Sequence, residues 1–362
     1  MKKLLGVVML TLVLLPSAGF AQRAGEAAAK SVGRKETQNK KAKSSGSKAT
    51  KKAKASKSQA KPTQQPAVDL VVVVGAAGEA KYAEMFSKWS RRWQQAGKAA
   101  KANLTSIGGG KNQTKGVADR DKLQQTLTKL QKDGTTPLWL VYIGHGTFGR
   151  KRAKLNLIGR DVADVELATW LNAFTRPVVV IHSGAASAPF INRLSQKGRV
   201  VVTATKSGFE SNFAYFGDYL SQAITDPKSD LDKDEQISLL EAFLSASRQV
   251  AQFYKQNGRL ATEQALIDDN GDAKGTPASF FRGIRVAKQA AQGGQADGLR
   301  ANQLHLVKSA SERNLPPKVR QQRDKLEQQL EELRAQKGTL EEDDYYQQLE
   351  KILIKIARLY SS

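Results

Sequence analysis

Apolar residues in this chain fall into short unbroken runs separated by stretches of helical periodicity. Four runs read as buried parallel strands: Leu70-Val71-Val72-Val73-Val74, Leu138-Trp139-Leu140-Val141-Tyr142-Ile143, Val178-Val179-Val180-Ile181 and Val200-Val201-Val202. A weaker run at 104–107 predicts one more strand. Between them lie helical patterns at 80–100, 119–132, 164–174, 189–195, 213–224 and 239–256. The first carries Tyr82, Phe86, Trp89 and Trp93 at helix spacing, which predicts a packed face. Strand–helix alternation of this kind implies an α/β fold with a mostly parallel, doubly covered sheet. The pattern at 280–286 predicts a last edge strand.

Beyond a Gly/Gln/Ala-rich stretch at 289–300, read as a linker, the pattern becomes purely helical. Val319, Leu326, Leu330, Leu333 and Leu340 form one stripe. Tyr346, Leu349, Leu353, Ile356 and Tyr360 form another. Gly338 separates them, and Thr339 with Glu342 has capping-box spacing. The region 301–362 is therefore expected to be an αα-hairpin or coiled coil. Its apolar stripe needs a partner, either the main domain or a second copy of the chain in a homodimer.

Composition changes the picture at the N-terminus. Lys2 and Lys3 precede an apolar core at 4–15, and Gly19-Phe20-Ala21 offers a small-residue cleavage site. Residues 1–21 thus read as a Sec signal peptide, too short in its apolar core to span a bilayer comfortably. The expectation is export, to the periplasm or outside the cell. The chain has no cysteine, so neither a lipoprotein anchor nor a disulfide framework is available, and the core must supply stability. Residues 22–66 are rich in Lys, Ala, Ser and Gln and lack aromatics. Residues 23–65 hold 13 Lys/Arg against 2 Asp/Glu. Such a tract cannot bury a core and is expected to be disordered. It serves either as a solvated linker or as a tether to an anionic envelope surface. An export signal argues against nucleic acid as its partner.

Candidate chemistry gathers where two of the strands end, as open α/β sheets build their sites. One ends in Gly144-His145-Gly146. The other ends in His182-Ser183-Gly184-Ala185-Ala186-Ser187. In order and spacing the pair resembles the caspase-like cysteine peptidases, most closely their legumain-type branch, over residues 67–288. The resemblance implies a caspase-like sheet, His145 as the general base or acid, and Gly146 as an oxyanion donor. It puts Ala185 where the nucleophilic Cys would stand, and it likens the segment 199–210 to the strand and loop that line the family's primary specificity pocket. His182, Ser183 and Ser187 are expected to line the same cleft, which would receive a protein or peptide. Neither serine matches the nucleophile position, and the two-residue offset from Ala185 displaces each hydroxyl by several ångströms. His182 ends the neighbouring strand, so it and His145 are expected to approach each other at one sheet edge, but a two-histidine metal site would need a third ligand that the sequence does not identify.

The second motif is Asp230-Leu231-Asp232-Lys233-Asp234-Glu235-Gln236-Ile237-Ser238-Leu239-Leu240-Glu241. It resembles a 12-residue EF-hand loop for Ca²⁺. Asp230, Asp232 and Asp234 take positions 1, 3 and 5. The Gln236 carbonyl takes 7, Ser238 takes 9 through water, and Glu241 supplies the carboxylate at 12. Glu235 replaces the usual glycine at position 6, which implies a weak site. Asp268-Asp269-Asn270-Gly271-Asp272 begins similarly but reads as an Asn-Gly turn. Gly75-Ala76-Ala77-Gly78 lacks dinucleotide-loop spacing, and Gly108-Gly109-Gly110-Lys111 lacks the Ser/Thr of a phosphate loop. Three functions stay open on sequence: a non-catalytic binding or scaffolding module, a hydrolase with an unusual nucleophile, and a structural envelope protein.

Overall fold

Seven strands form the central sheet. They are β1 (Asp69–Val74), β2 (Asn103–Gly108), β3 (Leu138–Ile143), β7 (Val178–His182), β8 (Arg199–Thr203), β9 (Leu266–Asp268) and β10 (Thr276–Pro277). Their spatial order is β10-β9-β8-β7-β3-β1-β2. The five from β2 to β8 are parallel, while β9 and β10 are antiparallel to their neighbours. The remaining strands are β4 (Gly146–Gly149), β5 (Arg152–Leu155) and β6 (Val162–Ala163), which make a separate antiparallel sheet, and the hairpin of β11 (Phe281–Arg282) and β12 (Arg285–Val286). This computed structural model describes residues 68–109, 117–288 and 297–360. The expected leader, the Lys-rich tract and residues 289–296 of the expected linker lie outside them.

Helices cover both faces, as the buried runs require. On one side α1 (Ala80–Ala99), α5 (Phe216–Ala223) and α6 (Leu239–Gln256) pack on Leu70, Val72, Val74, Trp139 and Ile181. On the other, α2 (Asp119–Lys129), α3 (Asp164–Leu171) and α4 (Pro189–Leu194) pack on Val71, Val73, Leu140 and Val180. Successive strand residues thus feed opposite cores, the period-2 consequence of the pleat. Trp89, Trp93 and Trp139 are fully buried, so the aromatics of α1 are core residues, as their spacing predicts. The buried ion pair Arg176–Asp69 (2.6 Å) closes the end of the sheet where β1 starts.

The far end of the domain departs from expectation. Residues 281–286 fold as the isolated β11–β12 hairpin and do not join the sheet. The sheet edge is supplied by β9 and β10, too short to announce themselves by periodicity. Residues 297–300 are not a linker either. Asp297 is buried and accepts hydrogen bonds from the Asp269 and Asn270 amides and the Thr276 hydroxyl. Ala301 in α7 (Leu299–Asn302) and Leu306 are part of the core.

The helical hairpin begins after α8 (Ala310–Asn314) and consists of α9 (Pro317–Ala335) and α10 (Glu342–Tyr360). Leu326, Leu330, Leu333 and Tyr345 are buried at the junction. Arg323 of α9 bridges Glu312 of α8 at 2.6 Å. Thr339 does not cap α10: its hydroxyl donates to the Gln336 carbonyl. Tyr346, Leu353 and Ile354 of α10 remain exposed.

Candidate functional site

The C-terminal ends of β1, β3, β7 and β8 converge, and the two motifs singled out in sequence meet there main chain to main chain. A Cβ on Gly146 would stand 2.2 Å from the Ala185 carbonyl oxygen. One on Gly184 would stand 2.2 Å from the Gly144 carbonyl oxygen. Only glycine permits this approach. The loop after β1 joins the cluster, because Gly75 lies against Tyr142 Oη and the Asn156 carbonyl. Tyr142 Oη donates to the carbonyls of His145 (2.6 Å) and Asn156 (3.0 Å), pinning the chain where it leaves β3. Burial holds that phenol well above its ordinary pKa, so it stays a donor.

His145 is half-buried. Its Nε2 lies 3.2 Å from the Ala77 carbonyl and donates to it in the Nε2–H tautomer. The ring sits edge-on to Tyr82 (4.7 Å) and Phe86 (5.2 Å) of α1 and to Phe213 (5.9 Å). Phe213 was expected inside a helix from 213. It lies outside, because Glu263 accepts from the amides of Tyr215 (2.8 Å) and Phe216 (2.9 Å) and so starts α5 at Phe216. Burial, the largest influence on it, pushes the Glu263 carboxyl up to about 7.

His182 belongs to the other face. It is buried against Tyr142 (4.9 Å) and Phe190 (4.8 Å). Its Nδ1 accepts from the Gly184 amide at 3.1 Å. Nε2 therefore carries the proton and has no hydrogen-bond partner among the described residues. Burial pushes its pKa down to about 3, which keeps the imidazole neutral. His145 packs on the rings of Tyr82, Phe86 and Phe213, and His182 on those of Tyr142 and Phe190; among the described residues neither belongs to a group of three ligating side chains.

The serines are not placed for chemistry. Ser183 is 1% exposed, with its Oγ unpartnered and its Cβ facing Gly217 of α5. Ser187 is fully buried. Its Oγ lies 3.0 Å from Thr205 Oγ1 and accepts from the Thr205 amide at 3.1 Å, while Thr205 Oγ1 accepts from the Ser187 amide at 2.8 Å. This reciprocal pair ties the end of β7 to the end of β8. Between the serines, Ala185 is 5% exposed, and Ala186 adopts a left-handed φ of +53° with its amide on the Glu210 carbonyl. His182, Ser183 and Ser187 thus lie beneath the surface and not on a cleft wall. Sequence reasoning missed Ala77, Thr205 and Phe213. The first acts through its main-chain carbonyl, which no residue type advertises.

A cavity of 680 Å³ opens nearby between α6, the loop after β8 and the β11–β12 hairpin. Lys206, Glu210, Arg248, Glu263 and Phe281 are among its walls. The segment likened to a specificity-pocket loop thus does border a cavity, which none of His145, His182, Ser183, Ala185 or Ser187 lines.

The acidic loop is only partly assembled as a cation site. Oxygens of Asp230, Asp232 and Asp234 lie within 4.8 Å of one another. Glu235 adopts φ +68°, the left-handed conformation that the sixth position demands. Asp230 accepts from the Lys233 and Glu235 amides. Partial burial first, then the charges of Glu241, Asp234 and Asp230, push the Asp232 carboxyl up to about 6. Glu241 does not join the three. Its Oε1 accepts from the amides of Leu231 (2.6 Å) and Asp232 (3.2 Å), and its Oε2 from the amide and hydroxyl of Ser238. Ser238 in turn N-caps α6 and pairs with His305 in a single β-bridge. Gln236 spends its side chain on Asp234 and the Ser309 amide.

No protein-family model matches the chain, and no curated protein matches it. Solved structures do. The chain is similar to the Drosophila initiator caspase Dronc, at 17% identity over 57% of this chain and 81% of that one, with a TM-score of 0.36. It is also similar to Raptor of Chaetomium thermophilum, at 8% identity over 45% of this chain and 18% of that one, with a TM-score of 0.32. The expected doubly covered, mostly parallel α/β sheet with a C-terminal helix pair is present in its own right, in the strand order and helix layers.

Proposed function

We propose that residues 67–288 are a caspase/legumain-like domain that works as an exported, non-catalytic binding or scaffolding module. The observation that supports it most is the chemistry of the segment 183–187. A methyl group stands at Ala185, Ser187 is locked to Thr205, and Ser183 is turned into the core. Acyl transfer needs a nucleophile within hydrogen-bond reach of its base. Here the imidazole is spent on the Ala77 carbonyl instead. The machinery that would carry a peptidase is in this reading a rigid floor for a binding surface.

Purified protein is therefore expected to cleave peptide substrates no faster than buffer, and Ser183→Ala and Ser187→Ala are expected to change nothing in that assay. Turnover by the unmodified protein that disappears in either variant would replace the binding module by a hydrolase with an unusual nucleophile.

The same reading includes a weak Ca²⁺ site in the loop 230–241, supported by the three convergent aspartates and the left-handed Glu235. To complete it, Glu241 would exchange its amide donors for the cation, which keeps the expected affinity in the roughly 10⁻⁴–10⁻³ M range of extracellular modules. At 10 mM Ca²⁺ and a Kd of about 1 mM, mass action stabilises the fold by about 1.4 kcal/mol. Melting curves in Ca²⁺ against chelator should show that rise, and Asp232→Asn should abolish it. Equal midpoints in both buffers would leave the loop as an acidic start to α6.

A further inference from the structure

The loop after β8 and the turn between β4 and β5 meet beside the site and present an unusual pair of features. Phe209 is 84% exposed. Burying a phenylalanine is favourable, and this position forgoes that gain. The exposure is built in, not a matter of slack chain. The Phe209 amide donates to Ser207 Oγ (3.1 Å), the Ser211 amide to the Phe209 carbonyl (3.0 Å), and the Lys206 amide to Glu210 Oε2 (2.9 Å). The loop also lies tightly on Phe148 of β4, since a Cβ on Gly208 would come within 2.6 Å of that ring. Phe148 meets Phe209 edge to face at 5.6 Å.

Two residues past Phe148 the β4–β5 turn is Arg150-Lys151, with φ of +49° and +60°. A two-residue turn with both centres left-handed favours Asn-Gly. Two long cations with a Cβ in the left-handed region are strained there. Arg152 and Lys154 follow on the exposed strand, and no acidic residue occurs between Gly146 and Arg160. Among the described residues, Arg150, Lys151, Lys154 and Lys206 take part in no ion pair. Arg152 reaches Asp164 only at 3.9 Å. This tip therefore carries a fixed, solvent-facing phenyl ring beside uncompensated cations, in an arrangement the turn itself disfavours.

We propose that this tip docks the folded domain on an anionic lipid bilayer. Phe209 enters the headgroup–acyl boundary while Arg150, Lys151, Arg152 and Lys154 lie over the anionic headgroups. Apolar area plus attraction to anionic lipid is the combination that holds proteins at that interface. A purely polyanionic partner would use the cations and leave the phenyl ring without a role. The proposal rests on the folded domain alone and needs neither the Lys-rich tract nor the pseudopeptidase reading.

The test places a reporter at the ring. In the full chain, Phe209→Trp adds an exposed indole to natural tryptophans of which Trp89, Trp93 and Trp139 are buried. Its emission is followed on phosphatidylglycerol/phosphatidylcholine vesicles and on phosphatidylcholine alone. The expected result is a blue shift, with quenching by brominated acyl chains, on the anionic vesicles only. Each cation near the surface contributes about 1 kcal/mol, or about fivefold. Adding Arg150→Glu and Lys151→Glu should therefore move the midpoint of the lipid titration at least about tenfold. An indole that keeps its aqueous emission on vesicles that sediment the protein would overturn the proposal, as the tract alone would then be holding it. So would an unchanged midpoint in the charge-reversed protein. Charge-dependent binding with no blue shift would assign the tip to a polyanion instead, which also overturns it.

Discussion

A single methyl group on Gly146 or on Gly184 is expected to destabilise the protein by about 2–3 kcal/mol, with a fall of several degrees in Tm. In each case the added carbon would lie 2.2 Å from a main-chain oxygen of the opposite motif, Ala185 for Gly146 and Gly144 for Gly184. Neither oxygen can give way. The Gly144 side is pinned by Tyr142 on the His145 carbonyl, and the Ala185 side by the Ser187–Thr205 pair. The imidazole of His182 closes the remaining space, 3.0 Å from the Gly146 position. Gly149 is the control. It belongs to the same β4 strand, nothing lies within 4 Å of its added carbon, and Gly149→Ala should melt with the unmodified protein. Thermal denaturation of the three variants checks this. If Gly146→Ala and Gly184→Ala melt like Gly149→Ala, the two strand ends do not touch through their backbones.

This junction marks how far the sequence reaches. Unbroken apolar runs announce β1, β3, β7 and β8, because a strand buried on both faces has no polar positions to lose. The residues at their ends are legible as well, since a histidine between two glycines and a Ser-Gly-Ala-Ala-Ser segment interrupt the apolar run where the strand stops. What those side chains touch is not legible. His145 meets Ala77 from 68 residues away. Ser187 meets Thr205 across a crossover, and His182 turns to the face opposite His145. β9 and β10 have three and two residues, too few for a period-2 alternation to repeat. β4 and β5 have four residues each and β6 two, and they are polar on one side. The segment from Asp297 onward reads as linker by composition, yet one aspartate there enters the core because a second aspartate and a threonine hydroxyl are waiting for it.

That aspartate gives the second large effect. Stability is expected to fall by about 2–3 kcal/mol between pH 6.5 and pH 9, above the range in which neutral His182 acts in the opposite direction, at the scale of about 1.4 kcal/mol per pKa unit. Asp297 and Asp269 are both buried, and their carboxyls interact directly. Asp269 accepts from the Gly298 and Ala301 amides at 3.0 and 2.9 Å. Burial raises the pKa of both groups, and the charge of Asp269 adds to the rise at Asp297, which is pushed up to about 8. Two carboxyls in one dry site hold one proton between them. Asp268 adds to the rise at Asp297, and the charge of Arg300 partly offsets the rise at Asp269. The sign follows from linkage. The folded pKa lies above the unfolded value, so the folded state binds more protons through the interval between them. The stabilising contribution is complete below the unfolded pKa, near 4, and is lost as pH rises through about 8. Glu263, pushed up to about 7, contributes in the same direction. Asp297→Asn removes the second negative charge and leaves a carbonyl oxygen for the Asp269 and Asn270 amides. Urea melts of that variant should flatten most of the slope, keep the share due to Glu263, and exceed the unmodified protein at pH 9. Because the pair ties the sheet edge to the segment leading into the helical hairpin, amide exchange in α7 should quicken with rising pH beyond its intrinsic rate, and only when Asp297 is present. An unmodified protein whose stability is level from pH 6.5 to pH 9 would mean that the two carboxyls do not share a proton.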